Sequence, residues 1–312
     1  MEEKRIKVLT LGDMPLSTSG VGNQTKYVIE ALLESGKFEV FSLGGAMKHP
    51  QYQLIKTDKW GDLWKILPVD QFGTKEMLRS VIWREKPDIV WFMTDPRFWG
   101  WLWEMDNEIR QNIPMVYYHV WDNYPYPKYN KKFYESNDVV ATISKLTDDI
   151  VRTVAPDVET HYVPHAVDTE IFQKLDDEIV DKLREENKGP DGRSLSNRFV
   201  VLFNSRNARR KHSGTLVFWF KEFLERVGED NAVLLMHTEP LDPNGPNLMQ
   251  IVEDLDLNKG QVLFSRDKIN EKNMATLYNL ADVTVNISDA EGFGLSCLES
   301  LACETPVIGV RT

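Results

Sequence analysis

Two glutamates, Glu291 and Glu299, flank a glycine turn, and this pattern has the chemistry of a site for a phosphate linked to hydroxyl groups. The turn leads from a strand-like run into a predicted helix. The backbone N–H groups of Phe293, Gly294 and Leu295 are therefore expected to point outward without partners. A helix N-terminus of this kind attracts anions, and phosphate is the usual one. Because carboxylates accept hydrogen bonds from sugar hydroxyls, the pattern predicts a site for a sugar nucleotide.

A second candidate phosphate site is the basic segment 205–212, which stands out in an acidic sequence. It follows the strand predicted at 199–204, and the carboxyl ends of strands are where open α/β sheets bind ligands. The Arg and Lys side chains of this segment supply cations there, which are suited to an anionic ligand. The alternative is a solvated charged face without a ligand.

The string Ser288-x-x-Glu291-Gly-Phe-Gly-Leu, with Glu299 eight positions after Glu291, resembles the Glu-x7-Glu motif of retaining GT-B glycosyltransferases, especially glycosyltransferase family 4. Arg206 and Lys211 match that family's Arg-x4-Lys pair, and the resemblance covers most of the chain. It implies an α/β fold of the GT-B class, with two Rossmann-like, doubly wound parallel-sheet domains facing a cleft. The alternative is an ordinary Rossmann strand–turn–helix with incidental acids.

The resemblance also assigns roles to the residues of these two segments. Glu291 would bind hydroxyls of the donor sugar, and Glu299 would bind the ribose hydroxyls. Arg206 and Lys211 would grip the donor diphosphate, together with the N–H groups of the glycine turn. The leaving phosphate itself would deprotonate the acceptor, so the protein need not supply a general base.

The N-terminal half contributes two glycines and a histidine to the predicted site. Gly20 and Gly22 lie where the first strand meets the first helix, and the resemblance implies that they contact the donor diphosphate. Position 25 is Thr, so Gly-x-Gly-x-x-Gly is not completed, which counts against a dinucleotide oxidoreductase. The resemblance implies that His119 faces the reacting sugar, although a lone histidine is more often structural. Asp122 is a candidate acceptor contact.

Strand and helix patterns alternate along the chain, which favours parallel, doubly wound sheets. Strands are predicted at 6–12, 38–43, 88–93, 114–119, 138–143, 158–163, 199–204, 232–237, 261–264, 283–287 and 305–310. Helices are predicted at 21–35, 74–85, 97–110, 145–154, 176–188, 215–227, 247–255, 270–280 and 295–303. The aromatic segment 98–103 either packs a helix against the sheet or forms an exposed platform for an acceptor.

The segment 163–172 resembles the family's crossing segment between domains, with His165 and Ala166 in place of the usual Asn-Gly. It predicts an acceptor-side Rossmann-like domain at 1–168 and a nucleotide-sugar-binding Rossmann-like domain at 169–312. Family members normally continue with further βα units. The second domain is therefore expected to be incomplete, with a shortened C-terminal end.

The composition is that of a soluble globular protein, with 42% hydrophobic and 27% charged residues among 312. No apolar run is long enough to span a membrane, and the start shows no signal-peptide pattern. Cys297 and Cys303 are interpreted as small hydrophobic residues rather than a disulfide, which suits the cytoplasm. The net charge of −11 argues against nucleic-acid binding. Weak peripheral contact with a membrane is left open.

No His, Cys or carboxylate cluster has the spacing of metal ligands, so neither a metal nor a cofactor is expected beyond the sugar-nucleotide co-substrate. Asp254-Leu255-Asp256 is formally Asp-x-Asp, the metal motif of another glycosyltransferase class. It falls at a predicted helix end rather than after a strand, which indicates solvated surface.

Together with the absence of metal-ligand spacing, the resemblance implies a metal-independent glycosyltransferase. It would move a hexosyl unit from a UDP- or GDP-linked sugar to an acceptor hydroxyl with retention of anomeric configuration. The acceptor is left open between a glycan, a lipid, a protein and a small molecule. The alternatives are a non-catalytic module that binds a nucleotide sugar or glycan on the same fold, and a GT-B sugar-nucleotide epimerase.

Overall fold

The computed structural model describes residues 4–121 and 125–310. The chain divides into two compact units, Met1–Ala166 and Val167–Thr312. The division falls within the predicted crossing segment.

Unit 1 is built on an eight-stranded sheet. Its strands are β1 (Ile6–Asp13), β2 (Phe38–Gly45), β3 (Ile55–Lys56), β4 (Trp64–Pro68), β5 (Ile89–Thr94), β6 (Met115–His119), β7 (Val139–Thr142) and β8 (Glu159–Tyr162). The order across the sheet is β3-β4-β2-β1-β5-β6-β7-β8, and neighbouring strands run parallel except β3, which pairs antiparallel with β4. The carboxyl ends of β1 and β5 are adjacent because Leu11 pairs with Phe92.

The helices of unit 1 cover this sheet and close its core. They are α1 (Gly20–Glu34), α2 (Lys75–Glu85), α3 (Gly100–Trp103), α4 (Asp106–Arg110), α5 (Lys131–Glu135) and α6 (Lys145–Val154). Ser144 and Thr147 form a capping box at the start of α6, which satisfies two backbone N–H groups there. The apolar core joins Leu9 and Leu11 of β1 to Val151 of α6.

The single helix predicted at 97–110 is wrong, because the structure has a 3-10 turn at Pro96–Phe98 followed by the two short helices α3 and α4. Trp103 and Met105 are both buried, at 5% and 2% exposure. Two residues apart in one continuous helix they would point to nearly opposite faces, so the chain breaks between them to bury both. Trp99 and Leu102 are also buried, which confirms the packing interpretation for this part of the aromatic segment, whereas Phe98 is 49% exposed.

Three short elements were not predicted, namely β3, β4 and α5. The strand β4 has Trp64, Ile66 and Pro68 buried in alternation, but Pro68 and the glycine-containing turn at Gly61–Leu63 conceal the strand pattern. The elements β3 and α5 have two and five residues, too few to show a period.

Unit 2 is built on a five-stranded sheet, and every neighbouring pair is parallel. Its strands are β9 (Phe199–Asn204), β10 (Ala232–His237), β11 (Val262–Ser265), β12 (Val283–Asn286) and β13 (Val307–Gly309). The order is β11-β10-β9-β12-β13. Its helices are α7 (Asp177–Glu186), α8 (Ser213–Val227), α9 (Leu248–Asp254), α10 (Glu271–Leu280) and α11 (Leu295–Ala302).

The sheet of unit 2 is covered on both faces. Phe203 packs in a cluster with Phe220 of α8, whereas its neighbour Leu202 packs in a separate cluster with Tyr278 of α10. Successive residues of a strand point to opposite faces, so α8 and α10 lie on opposite sides of the sheet. This is the doubly wound arrangement that the alternating pattern predicts.

Candidate active site

Two loops of unit 2 meet at the point where the strand order reverses. From β9 the chain goes to β10 on one side, while β12 returns to the other side of β9. The register pairs Val283 with Val201, so the carboxyl ends of β9 and β12 lie next to each other. Open α/β sheets bind ligands at such a switch point. The basic segment 205–212 follows β9, and the glycine turn follows β12.

Lys211 and Glu291 form an ion pair that joins these two loops. Lys211 Nζ donates to Glu291 Oε1, and the side chains keep 8% and 21% of their exposure. The 3-10 turn at Arg209–Lys211 directs the lysine inward. Taking a lone charge out of water is costly, so each partner makes the other's burial tolerable.

Two further side chains fix the Glu291 carboxylate. Asn286 Nδ2 and Ser288 Oγ both lie within hydrogen-bond distance of Oε1, at 3.0 and 3.1 Å. The Ser288 hydroxyl is also 2.6 Å from Asn286 Oδ1. Burial alone would raise the pKa of Glu291, but the charge of Lys211 and these hydrogen bonds outweigh it, and the pKa lies below its usual value. The site thus holds an ionised carboxylate.

Three further contacts join the two loops, and one of them is between backbone groups. Arg210 donates from Nη1 to the carbonyl of Ala290 over 2.6 Å, and its own carbonyl accepts from the backbone N–H of Asp289 at 2.9 Å. His212 Nε2 lies 2.8 Å from Asp289 Oδ1. Because these three contacts add to the Lys211–Glu291 pair, the basic segment and the glycine turn keep a fixed spacing.

Gly294 shapes the start of α11. Its φ of 84° is left-handed, a conformation that glycine adopts without steric cost. No side chain caps this helix, and the cap contacts are donated by Cys297 and Leu298 to the Gly294 carbonyl. The first turn of a helix has backbone N–H groups without intrahelical partners, so this terminus is suited to an anion.

Arg206 lies at the rim of the site, with 65% of its side chain exposed. It is paired with Asp242, to which it donates from Nε over 2.6 Å and from Nη2 over 3.3 Å. The Arg206 guanidinium, with further hydrogen bonds from Asn244, holds the pKa of Asp242 well below its usual value. Lys211 and Arg206 are therefore each balanced by a carboxylate.

Glu299 lies one helical turn inside α11 and has a different environment. Its Oε2 accepts a hydrogen bond from Tyr278 Oη at 2.7 Å. Burial raises the pKa of Glu299 from its usual 4.5 to about 7, although the Tyr278 hydroxyl opposes this rise. The two glutamates of the motif thus differ in charge near neutral pH.

The two glycines of unit 1 lie at the start of α1. Gly20 is exposed, whereas Gly22 is buried. The Gly22 N–H donates to Ser19 Oγ, the N-cap, over 3.0 Å. A Cβ at Gly22 would lie 2.4 Å from Ser17 Oγ and 2.8 Å from the Met14 carbonyl, so the turn itself requires glycine there.

His119, at the end of β6, is fully buried. Its Nδ1 is 3.2 Å from Tyr117 Oη, and its Nε2 is 3.0 Å from Tyr134 Oη. Burial lowers the pKa of His119 to about 3, so the ring is neutral. The structure thus pairs both ring nitrogens inside unit 1 and does not present them at its surface. Asp122 lies outside the described residues.

The structure brings Lys211 and Glu291 together and adds partners that the sequence did not reveal, namely Asp242, Asn286 and Tyr278. Asn286 could have been suspected, because it is a polar residue at the carboxyl end of a buried strand. Asp242 and Tyr278 carry no local signal, since they belong to a loop and to a buried helix position.

The described part of the chain contains no group of three or more His, Cys, Asp and Glu residues able to hold a metal ion. No helix within residues 4–121 and 125–310 is both long and apolar enough to cross a membrane. Cys297 and Cys303 are both free thiols. Asp254 and Asp256 are engaged on the surface by Gln250 and Lys259.

Two α/β units, each built on a mainly parallel sheet, are typical of proteins with the GT-B fold, and this chain has that fold. The structure is similar to sucrose-phosphate synthase from Thermosynechococcus elongatus, with a TM-score of 0.76 and 17% identity over 98% of this chain and 81% of that one. It is also similar to an E. coli structure described as trehalose-6-phosphate bound with UDP-2-fluoro glucose, with a TM-score of 0.65 and 10% identity over 97% of this chain and 83% of that one. At these low sequence identities, the structural similarity establishes the fold alone.

Residues 186–312, which contain the whole loop pair, match the family described as Glycosyl transferases group 1. N-acetyl-alpha-D-glucosaminyl L-malate synthase from Bacillus anthracis is 28% identical over 179 residues, or 57% of this chain and 42% of that protein. The match thus spans less than half the length of this relative. The resemblance of the sequence to GT-B glycosyltransferases is confirmed, and the segment that matches the group 1 family lies within unit 2.

Proposed function

We propose that the protein is a glycosyltransferase that moves a hexosyl unit from a nucleoside diphosphate sugar to an acceptor hydroxyl, with retention of configuration and without a metal ion. The observation that carries this proposal is the Lys211–Glu291 pair. It sets a fixed cation and an ionised carboxylate beside the α11 terminus, at the switch point of a glycosyltransferase group 1 domain. A diphosphate next to a polyhydroxyl group matches these three features.

The cations would hold the diphosphate and stabilise it as it leaves. Arg206 is largely exposed, so it can exchange its contact with Asp242 for a phosphate oxygen at little cost in desolvation. Glu291 holds the Lys211 ammonium in place, so the lysine side chain would not have to move to stabilise a phosphate bound beside it. The N–H groups of Gly294 and Leu295 would supply the remaining donors.

The two glutamates would orient the donor through its hydroxyl groups. Glu291 is ionised and held on Oε1 by Lys211, which makes it an acceptor for hydroxyls of the donor sugar. Glu299 would accept from the ribose hydroxyls. A UDP-linked donor is supported by the similar E. coli structure, whose description includes UDP-2-fluoro glucose, and a GDP-linked donor is the other candidate.

The transfer step would break the bond between the anomeric carbon and the diphosphate oxygen and form a bond from that carbon to the acceptor oxygen. The acceptor proton would pass to the departing phosphate oxygen on the same face, which retains the configuration. The protein's contribution is then electrostatic, through Arg206, Lys211 and the helix terminus.

Unit 1 would serve the acceptor side. Gly20 and Gly22 would approach the diphosphate, and His119 would steady the sugar near the anomeric carbon. In the structure His119 is buried between Tyr117 and Tyr134, so this role requires the network around the ring to open. The free thiols Cys297 and Cys303 support a reducing compartment such as the cytoplasm.

The first test is calorimetric titration of the protein with UDP, GDP and ADP. One nucleotide should bind saturably. Arg206→Ala should then weaken it by roughly tenfold to a hundredfold, the cost of about 1.5–3 kcal/mol for a charged hydrogen bond. Arg226→Ala, at an exposed arginine of α8 in the same unit, is the matched control and should bind as the wild type does. A folded protein that binds none of the three contradicts the proposal.

The second candidate function is a non-catalytic module that binds a nucleotide sugar. The observation that favours it is His119, whose two ring nitrogens are both engaged inside unit 1. Release of free nucleoside diphosphate from the donor that binds separates the two candidates, measured with a panel of sugar acceptors. Turnover above that of Lys211→Ala supports the transferase, and binding without turnover supports the module.

A further inference from the structure

Glu299 is held by a chain of two hydrogen bonds that begins at the carboxyl end of β9. Asn204, the last residue of β9, donates from Nδ2 to Tyr278 Oη over 2.7 Å. The Tyr278 hydroxyl in turn donates to Glu299 Oε2 over 2.7 Å. Because the amide already occupies the phenolic oxygen as a donor, the hydroxyl proton is directed to the carboxylate. Three elements, β9, α10 and α11, thus contribute one member each.

The middle member of this chain has little freedom to move. Tyr278 is fully buried, and its ring meets the ring of Phe172 edge-on, with centroids 6.2 Å apart. Its backbone carbonyl accepts from Thr305 Oγ1 at 2.7 Å. A tyrosine packed in this way holds its hydroxyl at a fixed point, so the hydroxyl can define where a flexible glutamate side chain lies.

The carboxylate of Glu299 has capacity left for a ligand. Among residues 4–121 and 125–310, Tyr278 Oη is the one side-chain donor that contacts Glu299, and it uses Oε2. The other oxygen, Oε1, receives no hydrogen bond from the described chain. This oxygen is not one of the fully buried side-chain atoms without a partner, so it can accept a hydrogen bond from a hydroxyl of a bound ligand.

We propose that Tyr278 is a positioning residue of the nucleotide site, and that the Asn204–Tyr278–Glu299 chain sets how strongly the site selects ribose over a sugar that lacks the ribose hydroxyls. This inference rests on the proposed function, because it takes the ribose to be the group that meets Glu299. Tyr278 does not touch the nucleotide. It acts by holding one carboxylate oxygen so that the other is presented in one orientation.

The test compares Tyr278→Phe with the wild type, since this change removes the hydroxyl and keeps the buried ring. Calorimetry would give the Kd of the nucleoside diphosphate that binds and that of its 2′,3′-dideoxy analogue. At a pH above the pKa of Glu299, which is about 7, the dideoxy form should bind the wild type at least about tenfold more weakly, the cost of about one lost hydrogen bond to a charged group. In Tyr278→Phe this ratio should fall at least threefold, toward the ratio measured for Glu299→Gln.

The ratio of the two Kd values separates positioning from a merely structural role. Loss of a structural contact would weaken the binding of both nucleotides equally and leave the ratio unchanged. Tyr118→Phe is the matched control, because it removes another buried hydroxyl, one that donates to the Val163 carbonyl in unit 1, and it should leave the ratio unchanged. Asn204→Ala removes the other end of the chain and should lower the ratio in the same direction. It also serves as the test if Tyr278→Phe does not fold.

The outcomes distinguish this inference from the proposed function. If the wild type binds the nucleotide and Tyr278→Phe and Asn204→Ala keep the wild-type ratio, the positioning role is overturned while the proposed function stands. If the folded wild type binds no nucleoside diphosphate, the proposed function fails and this inference fails with it.

Discussion

Lys211 and Glu291 are 80 positions apart in the chain, and the adjacent ends of two strands bring them into a buried ion pair. Each sits in a loop that the sequence marks as a phosphate site on its own. Their contact turns two loops into one site, because neither charge could be buried without the other.

Removing the lysine should destabilise the protein because it leaves the Glu291 carboxylate buried without a partner. Lys211→Met should cost about 3 kcal/mol of unfolding free energy, the lower end for a broken buried pair, since Glu291 keeps some exposure. The double variant Lys211→Met/Glu291→Gln should be more stable than Lys211→Met. Urea unfolding measures both. Lys182→Met, which breaks the exposed pair with Glu186, should stay close to the wild type. A double variant no more stable than the single one would contradict the pairing.

Glu299 should make stability fall as pH rises, the reverse of a surface carboxylate. Its pKa is about 7 in the folded protein and 4.5 when unperturbed, so between these values the unfolded state loses the proton first. This contribution is therefore fully present below pH 4.5 and is lost as pH rises through 7. Relative to the wild type, Glu299→Gln should gain on the order of 1–3 kcal/mol between pH 4.5 and 7.5, measured by urea unfolding. Parallel curves for the two proteins would show that Glu299 is ionised in the fold.

His119 should have the opposite pH effect. Its pKa is about 3 in the folded protein and 6.5 when unperturbed, so only the unfolded state takes up a proton as pH falls. The wild type should lose about 2 kcal/mol relative to His119→Gln between pH 7.5 and 5, and the loss should continue toward pH 3. His165, whose pKa is lowered by burial to about 4, is present in both proteins and cancels in the comparison. A constant difference between the two proteins would mean that the His119 ring is accessible to protons.

Gly294 should tolerate asparagine better than alanine. Its φ of 84° costs an alanine roughly 1 kcal/mol, whereas asparagine enters this region more easily. Gly294→Ala should therefore lower stability by about that amount and Gly294→Asn by less, measured by thermal unfolding. Gly100→Ala is the control, because a Cβ there meets open space at the start of α3 and should be neutral or stabilising. Equal losses for the two Gly294 variants would argue against a left-handed cap.

Much of the fold follows from the sequence because its signals are local. The buried strands β9 and β10 are continuous apolar runs, and the structure places both where the sequence predicts them. Errors arose where burial overrides local pattern. The chain breaks between α3 and α4 because Trp103 and Met105 are both buried in the core. The local sequence does not show which residues will be buried, so this break could not be predicted from it.

The sequence by itself determined which residues of unit 2 carry charge beside a helix terminus, because their types and spacing are written in the two loops. Only the tertiary structure decided their partners. Lys211 meets Glu291, Arg206 meets Asp242, and Glu299 meets Tyr278, each through strand order and helix packing that join distant segments. The burial of His119 was likewise decided by the tertiary structure, since it depends on tyrosines from β6 and α5 that close around the ring.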